Sequence, residues 1–230
     1  MINITINFTP RQIVSPGYLL AEGKYEVGEN VYKENDKFYS TVIGLAELRN
    51  NTIAVIPLRG LYIPSVGDLV IGKIIDVIPT AWILDIRAPW NAILFAKEFL
   101  TKPLNVLKED IRSYLDVGEM VIAKVTSFDR TKNPLLTAKG QGLGKVQKGM
   151  IIEVNPTRVP RIIGKKGSMI SLLKKETGCQ IYVGKNGRIL ISGKSREDEI
   201  LVSEAIKKIE LEAHIGGLTD RIKDFLIKRR

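Results

Sequence analysis

The chain has 230 residues, a hydrophobic content of 44% and a mean hydropathy of +0.03, the composition of small folded domains and not of a disordered polymer. One cysteine, Cys179, excludes an internal disulfide and a cysteine-rich zinc site, and one histidine, His214, argues against a histidine-based metal or acid/base centre. The net charge of +10 is uneven: residues 1–63 carry six Lys/Arg and six Asp/Glu, residues 64–145 eleven against nine, and residues 146–230 eighteen against ten. A gradient that loads the C-terminal third points to an anionic partner there, nucleic acid first and an acidic membrane surface second. No apolar run approaches the ~20 residues of a membrane span, and the opening MINITINFTPRQ lacks the basic start and apolar core of a signal peptide, so a cytoplasmic location is expected.

In residues 1–63, VYKENDKFYSTVIGLAELRNNTIAVIPL alternates β-branched or aromatic residues with polar ones, and Asn35-Asp36 and Asn50-Asn51 supply turn chemistry. Two antiparallel hairpins are predicted, forming a small β-domain. Ahead of them, Pro16-Gly17 blocks regular structure and leaves Tyr18, Leu19 and Leu20 to dock on something. This apolar arm either covers its own sheet or, as Pro16, Gly17, Tyr18, Leu19 and Leu20 together, forms a protein-binding surface.

Residues 64–145 supply β-rich runs separated by Pro79-Thr80 and Pro89, and a recurring pattern: VGDLVIGK at 66–73 and VGEMVIAK at 117–124. Too few positions repeat for a duplicated domain, so these are read as two strands of one barrel, each entered through a similar Gly turn. KPLNVLKEDIRSYLD between them reads as a loop with a short helix, and NPLLTAKG as a fifth strand, which together fit a closed barrel of the OB type. On these residues the segment resembles an S1 RNA-binding domain. Aromatic platforms and basic residues on such a barrel bind single strands, and the candidates here are Trp82, Arg87, Trp90, Phe95, Lys97, Lys124, Phe128, Arg130 and Lys132. Half of the aromatics are expected to be core, which puts the weight on the loop residues Arg130 and Lys132. After the third strand, where many such domains carry a glycine and a histidine, this chain reads NAILFAKEF, which favours electrostatic contact over base stacking.

The most informative stretch is VPRIIGKKGSMISLLKKETGCQIYV, residues 159–183. A helix beginning after Pro156 is cut at Gly164, and a second runs from Ser168 to Thr177 and is capped by Gly178. Glycines on both sides of Lys165-Lys166 permit sharp backbone angles and remove the Cβ atoms that would hold a phosphate away, while the second helix offers free N–H groups. With GRILISG and a long helix from Arg196 to about His214, the pattern resembles a KH domain with α-β-β-α order after its first strand. The resemblance implies RNA binding at Arg161, Gly164, Lys165, Lys166 and Gly167, since a GXXG turn clamps about four nucleotides. Cys179 reads as a small core residue, His214 as a capping or surface residue, Glu197-Asp198-Glu199 as a helix opening, and the terminal IKRR as a frayed, solvated tail.

The fold class is therefore multidomain, mainly β then α+β: a small β-domain (1–63), a five-stranded OB-type S1 barrel (64–145) and a C-terminal KH domain (146–230). This order resembles the RNA-binding cap subunit of the archaeal exosome across essentially the whole chain. The resemblance implies a non-catalytic protein without cofactor or metal. It implies three copies seated through their N-terminal domains on a ring of RNase PH-like subunits, capturing single-stranded RNA 3′ tails, A-rich ones preferred, for 3′-to-5′ degradation. Two other classes stay open. A nuclease would need clustered carboxylates or a positioned base, whereas Asp and Glu are scattered along this chain. A translation or transcription factor built from S1 and KH modules would leave the N-terminal arm unexplained.

Overall fold

The computed structural model describes residues 5–102, 109–213 and 217–229. Contacts divide the chain into two compact units, 1–60 and 61–230.

The first unit is built from β1 (Thr5–Ile6), β2 (Ile13–Val14), β3 (Leu19–Glu22), β4 (Glu26–Val27), β5 (Val31–Glu34), β6 (Lys37–Ser40), β7 (Gly44–Arg49) and β8 (Thr52–Pro57). They form two four-stranded sheets, ordered β1-β3-β6-β5 and β2-β7-β8-β4. Both predicted hairpins are present, with Glu34 opposite Lys37 and Arg49 opposite Thr52. Their two-residue loops need positive φ, and Asn35 (54°), Asn50 (45°) and Asn51 (69°) adopt it. Side chains from both sheets, among them Val14, Leu20, Phe38, Ala46, Ile53 and Val55, share one core. The arm of residues 16–20 turns at Gly17 (φ 81°) and enters the first sheet as β3. Leu20 is fully buried in that core, which removes its side chain from the candidate partner surface; Pro16 and Gly17 stay exposed, and Tyr18 and Leu19 are half-buried.

The second unit starts at Leu61, three residues before the expected boundary at 64. Tyr62 is the reason: it is buried in the barrel core and its hydroxyl donates to Asp68 at 2.8 Å. β9 (Leu69–Ile78), β10 (Ala81–Asp85), β11 (Ala92–Phe95), β12 (Met120–Ser127) and β13 (Leu135–Thr137) close as β11-β10-β9-β12-β13, with β13 returning to β11 in parallel. A short β14 (Gly144–Lys145) adds to β12. The recurring VG-acid-x-VI pattern is the antiparallel pair β9 and β12, related by a local twofold: the Gly67 N–H donates to the Val125 carbonyl and the Gly118 N–H to the Ile74 carbonyl, both at 2.8 Å. Of the stretch 102–116, predicted as a loop with a short helix, the described residues show one 3-10 turn at Ile111–Ser113, and residues 103–108 lie outside the described residues; another 3-10 turn, Ala96–Glu98, directly follows β11. Ile111 and Leu115 seal the barrel, and the Leu115 carbonyl accepts from Trp82 Nε1 at 2.8 Å.

The rest of the chain folds as β15 (Met150–Glu153), α1 (Val159–Ile163), α2 (Ser168–Thr177), β16 (Gln180–Val183), β17 (Arg188–Ser192), α3 (Arg196–Leu211) and α4 (Leu218–Arg229). The antiparallel sheet runs β15-β17-β16. Its Ile181, Val183, Ile189 and Ile191 face the helices through Ile162, Leu173, Val202 and Ile206. Cys179 is buried here, and burial pushes its thiol up, which keeps it protonated and inert, as the sequence reading expected. Ser195 caps α3 by accepting from the Asp198 N–H at 3.1 Å, so the acidic run does open a helix. Of the terminal IKRR, expected as a frayed, solvated tail, Ile227, Lys228 and Arg229 are exposed but helical, the last turn of α4. Residues 218–229 form a helix because Ile222 and Leu226 recur at a spacing of four and bury in the same core, and Arg229 pairs with Glu204 of α3. His214 lies outside the described residues. No helix among the described residues is long and apolar enough to cross a membrane.

The break at residues 164–167 has a local cause. Gly164 sits at φ 76°, ψ 171°, a region closed to side chains, and a Cβ there would meet the Met169 nitrogen at 2.6 Å. Gly167 is left-handed too (φ 79°), but its surroundings are open, the nearest atom being Ile170 Cγ2 at 3.9 Å. Gly164→Ala is therefore expected to lower the melting temperature clearly more than Gly167→Ala, whose cost is limited to the left-handed penalty of about 1–2 kcal/mol. In the barrel, Trp82→Ala leaves a cavity and an unpaired carbonyl and is expected to cost about 3–5 kcal/mol, read as a lowered denaturation midpoint.

Candidate nucleic-acid interface

The turn between α1 and α2 combines exposed basic side chains with a backbone open to an anion. α1 ends at Gly164, and Lys165, Lys166 and Gly167 make one 3-10 turn in which Lys166 is left-handed (φ 52°, ψ 31°). α2 then starts with Gly167 as its N-cap and with no side-chain cap. Its first N–H groups thus lack the usual hydroxyl or carboxylate acceptor, and the positive end of the ten-residue helix faces the same turn. Arg161, Lys165 and Lys166 are exposed, and Gly164 and Gly167 are half-buried beneath them. Five of the sequence-predicted residues therefore lie on one helix-turn-helix.

A second group lies on the barrel. The loop after β12 is shaped by Asp129, which accepts from the Thr131 N–H at 2.8 Å and from the Thr131 hydroxyl. That hydroxyl, followed by the backbone N–H, holds the Asp129 carboxyl below the usual carboxylate range. The loop presents Arg130 and Lys132, both exposed. Phe128, at its start, packs edge-to-face on Trp90 with ring centroids 5.0 Å apart, and both rings are half-buried. Lys124 is exposed on β12, and Lys97 lies 5.8 Å from the Phe95 ring centre. Trp82, by contrast, is core.

Arg87, a candidate RNA contact, is engaged within the protein. Its backbone is left-handed (φ 55°), and its side chain turns toward the sheet of β15–β17, donating from Nη1 to the Val154 carbonyl at 3.0 Å, with Glu153 3.7 Å from Nε. It belongs to a joint between barrel and sheet. The apolar part of that joint is Ile71 and Ile122 on the outer face of β9 and β12 against Leu190, with Ile151 and Tyr182 alongside. Its polar part includes Arg188, only 5% exposed, which reaches the Asp85 carboxylate at 2.5 Å and the Asp85 carbonyl at 2.7 Å. Burial pushes the Asp85 carboxyl up, but the Arg87 backbone N–H and the Arg188 guanidinium outweigh it, and the group stays ionised below the usual range. Sequence reasoning missed this joint. The one available signal was Arg188, a charge opening an otherwise apolar strand. Among the described residues no three His, Cys, Asp or Glu side chains converge as a metal site.

Comparison with known proteins agrees with this division. Residues 11–59 match the family model of the exosome RNA-binding protein RRP4 N-terminal domain, residues 61–127 the RRP4 S1 domain, and residues 149–211 the KH domain. The exosome complex component Rrp4 of Sulfurisphaera tokodaii is 47% identical over 229 residues, covering 98% of this chain and 92% of that protein. The Rrp4 of Saccharolobus solfataricus is 48% identical over 220 residues, covering 94% and 88%. A crystal structure of a protein assigned as an exosome complex RNA-binding protein superposes with a TM-score of 0.70 at 43% identity, covering 74% of this chain and 98% of that one. With an N-terminal domain, a closed S1 barrel and a KH domain in this order, the chain belongs to the Rrp4 family of exosome complex components.

Proposed function

We propose that the chain caps a ring of RNase PH-like exosome subunits in the cytoplasm, three copies to a ring, and leads single-stranded RNA 3′ tails, A-rich ones preferred, into the pore for 3′-to-5′ degradation by the ring. The chain itself contributes binding and no catalysis. The observation that carries the reading is the GKKG turn, where two exposed lysines, a glycine in a conformation closed to side chains (Gly164), a left-handed glycine (Gly167) and a helix N-terminus without a side-chain cap coincide. Sugar-phosphate backbone is the ligand such a turn fits. Arg130, Lys132 and Lys124 extend the basic contacts onto the barrel, with the Trp90–Phe128 pair as the aromatic surface beside the loop.

Docking on the ring falls to the neutral first unit. Pro16 and Gly17, with Tyr32 and Tyr39, line a shallow groove on one sheet, the part of the expected arm that remains accessible. The other sheet carries a feature the sequence reading did not single out: Ile13, Leu45 and Ile56 are register partners on adjacent strands and so share a face, with Ile13 64% and Ile56 42% exposed. An apolar row of this kind suits a protein surface.

Replacing Lys165 and Lys166 together by Asp is expected to weaken binding of single-stranded RNA across sequences at unchanged melting temperature, and to reduce the log-log salt slope by about 0.7 per lost contact. Wild-type affinity and slope in that variant would move the principal site to Arg130 and Lys132. Removal of residues 1–60 is expected to abolish co-purification with the ring and leave RNA affinity largely intact, with Ile13→Glu and Ile56→Glu in the full chain reproducing the loss if the apolar row is the contact. The purified chain is expected to leave RNA intact with phosphate or magnesium supplied; degradation that tracks the chain through purification would count against a binding role.

A further inference from the structure

The turn between β16 and β17, Gly184 to Gly187, is committed to the barrel by one side chain. Asn186 is fully buried; its Nδ2 donates to the Ile71 carbonyl at 2.9 Å and to the Ile86 carbonyl at 3.0 Å, and its Oδ1 accepts from the Ile71 N–H at 3.3 Å. All of its amide hydrogens and one oxygen lone pair are thus used on the barrel backbone. The loop is built around this: Lys185 donates its N–H to the Leu69 carbonyl at 2.8 Å, and a Cβ on Gly184 would meet Asn186 Oδ1 at 2.4 Å. Arg188 adds its bonds to Asp85 two residues later. Apolar contact alone is non-directional and would let the KH sheet slide on the barrel, whereas these hydrogen bonds permit one orientation.

We infer that Asn186 is a positioning residue for RNA: without touching the ligand, it sets the orientation of the GKKG turn against the barrel loop carrying Arg130 and Lys132, so that one strand engages both. The inference rests on the reading that both elements hold RNA. A strand held at one element meets the other as an intramolecular partner, and a fixed orientation removes the ordering cost of that second contact.

The test uses the full chain and the isosteric variant Asn186→Asp, which turns a double donor into a carboxylate oxygen facing two carbonyls. Affinities are measured for a short oligoadenylate of about four nucleotides, enough for one element, and for one of about twenty. In the wild type the long strand should bind far more tightly than the short. In Asn186→Asp the short-strand affinity should hold within about twofold while the long-strand advantage falls about tenfold. A residue with a merely structural role would weaken both lengths alike and leave their ratio unchanged. Retention of the wild-type ratio in Asn186→Asp, or absence of a length advantage in the wild type, would overturn the inference. Failure of the short strand to bind wild type at all would instead overturn the underlying assignment of the RNA sites. Should Asn186→Asp lose its cooperative melting, Asp85→Ala decides. It removes a partly exposed carboxylate from Arg188 and leaves Asn186 in place, and it should lower the ratio about threefold, with an unchanged ratio counting against the inference.

Discussion

The KH sheet carries buried apolar side chains on both faces, and that constraint organises the second unit. One face is covered by its own helices; the other, carrying Leu190 and Ile151, has no helix of its own and is closed by Ile71 and Ile122 on the outside of β9 and β12. A small barrel normally turns a solvated face outward, so these two strands must be apolar on both sides along part of their length, which is why LVIGKII reads as a near-continuous hydrophobic run. Burying each such side chain contributes about 1.5–3 kcal/mol, enough to hold the two modules together. The hydrogen bonds contribute less net energy, but a buried amide left unpaired costs about 1–3 kcal/mol, so misaligned arrangements are penalised. Affinity comes from the apolar patch and orientation from Asn186 and Arg188.

The same division governs the positive charge. The basic C-terminal third does not present all of its charge to solvent. Arg188 is buried against Asp85 and Glu153, Arg221 and Lys208 both meet Glu212, and Arg229 meets Glu204. Three of these four are arginines, whose planar fork suits fixed, multiply bonded positions. The exposed cations at the GKKG turn are lysines, point charges on flexible stems that do not demand one geometry of a partner. Formal charge marks the C-terminal third as the most basic part of the chain, while hydrogen bonding and ion pairing decide which of its cations stay exposed.

The backbone carries the remaining part of the design. Asn50-Asn51 in the first unit and Gly164 and Gly167 in the KH domain all stand at positive φ, yet they serve opposite ends. The asparagines reverse the chain so that two strands pair and fill a core. The glycines interrupt a helix and leave the N-terminus of α2 without a side-chain cap. Local chemistry of this kind is readable before any tertiary contact is known, because it depends only on what each residue type allows its own φ and ψ to do.

What the sequence by itself determined follows from such local rules and from period. The two hairpins, the two VG-acid strands, the five-stranded barrel, the broken helix and the order of the three domains were all legible, since alternation, turn residues and the GKKG spacing act within a few residues of one another; that the two VG-acid strands pair with each other was not. The tertiary structure decided what depends on residues far apart in the chain. Leu20 became core because β3 lies between β1 and β6; Arg87 turned into the joint because Val154 and Glu153 reach it there; the C-terminal residues became a helix because α3 and the KH core offered Ile222 and Leu226 a place to bury. Asn186 was invisible for the same reason. Its partners, Ile71 and Ile86, lie 115 and 100 residues away, and no short-range pattern announces a hydrogen bond to a backbone that only folding brings near.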